Sequence, residues 1–477
     1  MSSAASEQST GATSTTETAT PPTTSTNRRQ PFGQGFLDTI STGWAERPDT
    51  APPVRPQAPF AARRRDAVSA AFPGKRLVIP AGELKQRSND TDYPFRAHSA
   101  FSHLTGWASD SEPGAVLVFE PRSSGGHDVT LHFRERADRT TSEFYSDASI
   151  GEFWIGPRPA LAGVAAGLEL ATAHIDDFES RDGDVVLDED DDLTRFVSEL
   201  RLVKDAYEVG QMELAVQVTA AGFDDIVANL PAIVEHPRGE RVVEGVFHQR
   251  ARSDGNAVGY DTIAASGPHA CYLHWTRNDG AVVPGDLILI DAGVEVDSLY
   301  TADITRTLPV SGRFTDVQRK VYETVREAAD AAFAAARPGV KFRSVHEAAM
   351  QVIAARVAEW GLLPVTAEEA LDADSGGHHR RYMVHGTSHH LGIDVHDCAR
   401  ARRDMYYDGI LEAGMVFTIE PGLYFQIDDL TVPEEYRGIG VRIEDDILMT
   451  DDGPVNLSAA IPRTADEVEA WIAAGGH

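Results

Sequence analysis

The acids and imidazoles of greatest chemical interest in this chain lie at the ends of apolar strands or in glycine-rich turns. The run Asp286-Leu-Ile-Leu-Ile-Asp291-Ala-Gly293 reads as a strand that finishes on an acid beside two small residues. Twelve residues later Asp303 stands in a second β-branched run, Thr301-Ala-Asp303-Ile-Thr-Arg-Thr-Leu-Pro309. The two runs are spaced to pair as a hairpin turning across residues 295–299, and acids on adjacent strands can face one point. A solitary Asp in an acid-rich chain is usually solvated, so the strand context singles these two out. Four imidazoles then fall within twelve residues, in His385-Gly-Thr-Ser-His389-His390-Leu-Gly392-Ile-Asp394-Val-His396. His385 and His389 have the separation of a zincin helix, but Gly386 occupies the place of its glutamate, so that motif fails. Four histidines in one such segment suit ligands or proton carriers. Met415-Val-Phe-Thr-Ile-Glu420 and Gly440-Val-Arg-Ile-Glu444 each put a glutamate in or at the end of an apolar strand, where its charge needs a cation or a partner.

Asp291, Asp303, His389, Glu420 and Glu444 together make four carboxylates and one imidazole. Such an oxygen-rich set suits Mn²⁺, with Co²⁺ or Zn²⁺ as alternatives, and the lack of thiolate argues against a structural zinc. Four carboxylates around one divalent ion would leave a charge of about −2, so two ions sharing bridging carboxylates make better electrostatic sense. The expectation from the residues alone is a dinuclear hydrolase site.

The elements that must hold these groups belong to a chain of 477 residues, long enough for two or three domains at roughly 100–200 residues each. Lys and Arg total 43 against 74 Asp and Glu, a net charge of −31 that opposes a nucleic-acid partner. Two cysteines, Cys271 and Cys398, are too few for a disulfide framework and fit the cytoplasm. The amino terminus lacks the features of a secretory signal, and no charge-free apolar run is long enough to span a membrane. Residues 1–30 are nearly all Ser, Thr, Ala, Glu and Pro and read as a disordered tail. Strand-like runs at 76–80, 114–119 and 129–133 predict an amino-terminal mixed α/β domain over 31–195. A long helix pair between Asp191 and Asn229 leads into a second domain, 196–477. There helices near 240–252, 315–336 and 343–359 alternate with strands at 258–264, 286–291, 415–420 and 440–449, so the class is α+β.

These five segments, in this order and with these neighbours, resemble the metal-binding signature of the pita-bread metallopeptidases. His385-Gly-Thr-Ser-His-His-Leu-Gly-Ile-Asp-Val-His-Asp397 and Thr418-Ile-Glu-Pro-Gly-Leu-Tyr424 are most similar to the Xaa-Pro aminopeptidase (aminopeptidase P) family. Asp92-Tyr-Pro-Phe-Arg96 through Phe101-Ser-His-Leu-Thr-Gly106-Trp resembles that family's amino-terminal domain, so the similarity runs over about residues 60–465. It implies a pita-bread catalytic domain preceded by a smaller mixed α/β domain, and a homodimer or homotetramer. It also implies that Asp291 and Asp303 bind one ion, His389 and Glu420 the other, with Asp303 and Glu444 bridging. His274, in Tyr272-Leu-His274-Trp, matches a histidine near the substrate, as do His385 and His396, while Arg442 and Tyr424 match residues around the site. The interval from Asp291 to Asp303 is one residue longer than the family's usual spacing. An extra residue in the turn at 296–298 leaves both acids facing inward.

The implied reaction is hydrolysis of the amino-terminal X-Pro bond of peptides by a hydroxide shared between two ions, without a serine or cysteine nucleophile. Glu420 would carry the proton to the leaving proline nitrogen, and His396 would share the charge of the tetrahedral intermediate. His385 and Arg442 would wall the pocket for the proline ring. The nearest alternative is prolidase, restricted to X-Pro dipeptides. A non-catalytic binding module on the same fold is disfavoured by the intact ligand set.

Overall fold

The computed structural model describes residues 32–47, 51–89 and 91–476; the expected tail over 1–30 lies outside the described residues. The chain divides into two compact units. The smaller draws on Gln86–Tyr93, Glu135–Ala160 and the described part of Met1–Asp49. Its short helices Gln34–Ile40, Glu143–Ser146 and Glu152–Ile155 are fastened by packing of Phe32, Phe36 and Tyr145 and by an Arg47–Glu152 ion pair of 2.8 Å.

The larger unit contains every strand expected above. A five-stranded mixed sheet runs in the spatial order Ala171–His174, His127–Phe133, Val116–Pro121, Leu77–Pro80, Val185–Val186, antiparallel in its middle and parallel at both edges. Alternation along these strands sends Leu77, Ile79, Leu117, Phe119, Leu131 and Phe133 to one core with Phe101 and Trp107. Val78, Val116 and Val118 go to the opposite face. The expected helix pair is present as Asp191–Glu199 and Ala206–Glu235. The Asp190 side chain caps the first, and a capping box between Asp205 and Glu208 starts the second.

Past the helix pair, Ile263–Ser266, Leu287–Ala292 and Ile304–Pro309 form an antiparallel sheet. Its hairpin keeps one register from Leu287↔Pro309 through Ala292↔Ile304 to Glu295↔Thr301, and turns over residues 296–300. Gly293 therefore lies opposite Asp303, two positions from Asp291, which puts both acids on one face. The extra residue is absorbed in the turn, as parity requires. At Gly293 a Cβ would lie 1.7 Å from the Ala302 carbonyl oxygen, so only glycine allows this close pairing.

Two of the expected strands are interrupted. The run 258–264 splits into Ala257–Val258 and Ile263–Ser266, with Tyr260 in the break. The run 440–449 splits into Gly440–Arg442, paired with Gly422–Tyr424, and Asp445–Thr450, paired with Val416–Ile419. Glu444 sits at this change of partner, its N–H donating to the Thr305 carbonyl at 3.1 Å. The buried Arg306 guanidinium fixes the switch, donating to the Glu444 carbonyl and the Asp445 carboxylate, each at 2.7 Å. Helices Asp316–Ala335 and Arg343–Glu359 pack on one another and contribute to a second, larger core with Ile288, Ile290 and Phe417, giving the α+β class.

Candidate metal centre

One pocket of about 370 Å³ is lined by Asp291, Asp303, His389, Glu420 and Glu444 together with His274, His385, His396 and Arg442. Tyr424 stands behind its wall, its hydroxyl 2.8 Å from His385 Nε2 and 3.1 Å from Arg442 Nη1. Ligand atoms of Asp303, His389 and Glu444 all lie within 4.8 Å of one another. His389 Nε2 is 3.3 Å from Asp303 Oδ2 and 3.6 Å from Glu420 Oε1. The fold thus collects on one pocket the acids that end or follow Leu287–Ala292 and Val416–Ile419, the acid preceding Ile304–Pro309, and the one at the strand switch.

The first two acids are braced by Tyr260, which lies outside the set read from the sequence, and Asp291 also by Arg442, which lies within it. The Tyr260 hydroxyl lies 2.6 Å from Asp291 Oδ1 and 2.5 Å from Asp303 Oδ1. Arg442 Nη2 donates to Asp291 Oδ2 at 2.5 Å and Nε donates to Thr305 Oγ1 at 3.0 Å, while Thr305 Oγ1 donates to Glu444 Oε2 at 2.7 Å. Sequence reasoning missed Tyr260 and Thr305. For Tyr260 the one available signal was Gly259-Tyr-Asp at the mouth of a strand; Thr305 had none.

Exposure is 8% for Asp291, 5% for Asp303 and 2% for Glu444. Among the described residues Arg442 is the one arginine or lysine lining the pocket. Burial lifts the Asp291 carboxyl above its usual range against the pull of Arg442. Burial, with Asp303 and Glu420 adding, pushes Glu444 well up, and burial raises Glu420 to about 7. Burial also opposes a charge on His389, but Asp303 and Glu420 outweigh it and raise the imidazole to about 9. Protons are thus held where like charges crowd in a dry pocket, a set of hard oxygens and one imidazole that fits divalent cations. His385 differs: burial, then Arg442, lower it to about 3. With Nδ1–H donating to the Gly386 carbonyl, its Nε2 accepts from Tyr424. His396, though exposed overall, is lowered too, by partial desolvation of its ring and by His389, whose ring centroid is 4.3 Å away.

Residues 210–451 match the model of metallopeptidase family M24, and residues 60–189 that of the aminopeptidase P amino-terminal domain. The chain belongs to metallopeptidase family M24. It is 51% identical over 457 residues to Xaa-Pro aminopeptidase 2 of Streptomyces coelicolor, covering 91% of this chain and 95% of that relative. To the Xaa-Pro aminopeptidase of Escherichia coli K12 it is 32% identical over 455 residues, covering 87% and 97%. Among solved structures, aminopeptidase PepP of Pseudomonas aeruginosa matches with a TM-score of 0.74 at 32% identity, covering 88% of this chain and 99% of that one. Zn-substituted E. coli aminopeptidase P in complex with product matches with 0.75 at 31%, covering 89% and 100%. The resemblance read in the histidine segment holds. This M24 chain is a metallo-aminopeptidase, a hydrolase that works with divalent metal ions, and its fold is an aminopeptidase P amino-terminal domain followed by a pita-bread domain. No helix among the described residues is long and apolar enough to cross a membrane.

Proposed function

We propose that this M24 enzyme removes the first residue from peptides whose second residue is proline, using two divalent ions, with Mn²⁺ the best fit. The observation that carries this is the convergence of Asp303, His389 and Glu444 within 4.8 Å in the pocket that Asp291 and Glu420 also line. In this reading Asp291, Asp303, His389, Glu420 and Glu444 would hold the two ions. When bound, the ions would supply Lewis acidity and lower the pKa of water toward neutrality. The names of the relatives support the X-Pro substrate.

The chain's own groups then have distinct tasks. Glu420, 3.5 Å from His385 Nδ1, carries the proton from the attacking water to the proline nitrogen. His396 is exposed at the rim and donates to the oxygen that gains charge. Neutral His385, braced by Tyr424, and Arg442, locked by Asp291 and Tyr424, form the wall against the proline ring, and His274 faces the substrate from the loop opposite. A tertiary X-Pro amide with its restricted preceding residue is a substrate such a shaped wall can accept.

We further propose the domain division 31–195 and 196–477 and a homodimer or homotetramer. Two buried free thiols, Cys271 and Cys398, support a cytoplasmic setting. The deciding assay presents X-Pro and X-Pro-Y-Z peptides to metal-depleted enzyme with Mn²⁺ returned. Cleavage of the longer peptide after X is expected. Cleavage of the dipeptide alone would make the enzyme a prolidase, and no cleavage with any divalent ion would overturn the reading.

A further inference from the structure

Glu240 lies in the first turn of helix Gly239–Asp254, is fully buried, and lines no pocket described above. Its carboxylate nonetheless collects four hydrogen bonds from a single loop. Oε1 accepts from the Ser266 N–H at 2.8 Å and from His269 Nδ1 at 2.7 Å. Oε2 accepts from Trp275 Nε1 at 3.0 Å and from the Gly280 N–H at 2.7 Å. The Glu240 N–H in turn donates to the Gly280 carbonyl at 3.2 Å. These donors bracket residues 266–280, the segment that brings Leu273 and His274 to the metal pocket. His269 stacks on Trp275 with ring centroids 3.9 Å apart, so two of the donors are also locked to each other. Gly280 has no room for a side chain, since a Cβ would lie 2.8 Å from Glu240 Oε2. His274 itself is exposed; its neighbour Trp275 is tied to Glu240, and on its other side the Gln426 side chain donates to the Cys271 carbonyl at 2.8 Å.

We infer that Glu240 is the positioning residue for His274: one buried carboxylate, satisfied at both oxygens by the loop, fixes where that imidazole meets the substrate. Charge-assisted bonds from a buried acid are the strong kind, and a misplacement of about 1 Å at a substrate-facing group can cost on the order of 100-fold in rate. Glu240→Gln keeps the shape but replaces one acceptor oxygen by an NH₂ that faces donors, so the loop must shift while the helix stays.

The inference rests on His274 facing the substrate, and a double-mutant cycle separates the two claims. In kcat/KM for an X-Pro-Y-Z peptide, Glu240→Gln is expected to lose roughly 10- to 100-fold, and Glu240→Gln in a His274→Ala background to lose nothing further. Trp275→Phe, which keeps the ring and removes one donor, should show a smaller loss with the same dependence on His274, and serves if Glu240→Gln does not fold. Amide exchange should rise at Ser266 and Gly280 and stay unchanged over residues 385–396, with bound metal retained. Wild-type kcat/KM in His274→Ala would overturn both claims. An impaired His274→Ala with multiplicative effects in the double variant would overturn this one alone, as would wild-type activity in Glu240→Gln.

Discussion

Tyr260→Phe removes one oxygen atom from the metal pocket and isolates what that oxygen does. The hydroxyl stands 2.6 Å from Asp291 Oδ1 and 2.5 Å from Asp303 Oδ1, so one hydroxyl bridges the two carboxylates proposed to hold one ion. A hydrogen bond to a charged group contributes about 1.5–3 kcal/mol. At about 1.4 kcal/mol per decade that is roughly ten- to hundredfold in an equilibrium constant, in line with the cost of losing a group that orients metal ligands. Asp291 keeps Arg442 at Oδ2 and Asp303 keeps its backbone tie to Asp446, so the strands should hold. The expected result is a ten- to hundredfold weaker affinity for Mn²⁺, measured by calorimetry on metal-depleted protein, with kcat within a few-fold of wild type once metal is saturating. Unchanged affinity would refute the bracing role. A kcat that stays down by more than about 100-fold at saturating metal would mean the hydroxyl contacts the reacting atoms.

Three further outcomes are expected. Glu444→Ala should abolish hydrolysis at any Mn²⁺ concentration while circular dichroism stays native, because two cations would then face each other without the shared carboxylate; near-wild-type turnover would remove it from the site. His389→Ala should lose bound metal, whereas His396→Ala should keep it and lose about two to three orders of magnitude in turnover; metal content measured on both variants tests the division, and the reverse pattern refutes it. Glu420 raised to about 7 and His389 to about 9 both hold protons near pH 6.5 that a cation must displace. Metal binding should therefore release protons and tighten as pH rises from 6 through 8, seen as a buffer-dependent heat; affinity that is flat or falls over that range contradicts the electrostatics.

Much of the site could be read from local pattern because its acids sit where an apolar strand stops. Asp291, Glu420 and Glu444 are each adjacent to a run that alternation or burial already marks, and the inward orientation of Asp303 follows from the even parity of the hairpin once the extra residue is put in the turn. What stayed hidden depends on partners distant in the chain. Tyr260 meets Asp303 across 43 residues and Arg442 meets Asp291 across 151, distances over which periodicity carries no information. The change of partner at Glu444 was invisible for the same reason: Gly440–Arg442 and Asp445–Thr450 look like one strand until their separate neighbours are known. Glu240 reads as an ordinary helix-start acid, and only loop closure shows its four donors.

The two-ion reading is tested most directly by titrating Mn²⁺ into metal-depleted enzyme while following cleavage of an X-Pro-Y-Z peptide and counting bound metal per chain. Activity should be absent at the start and reach its plateau as the second equivalent binds. Full activity without added metal, or a plateau at one equivalent with no second ion bound, would contradict it.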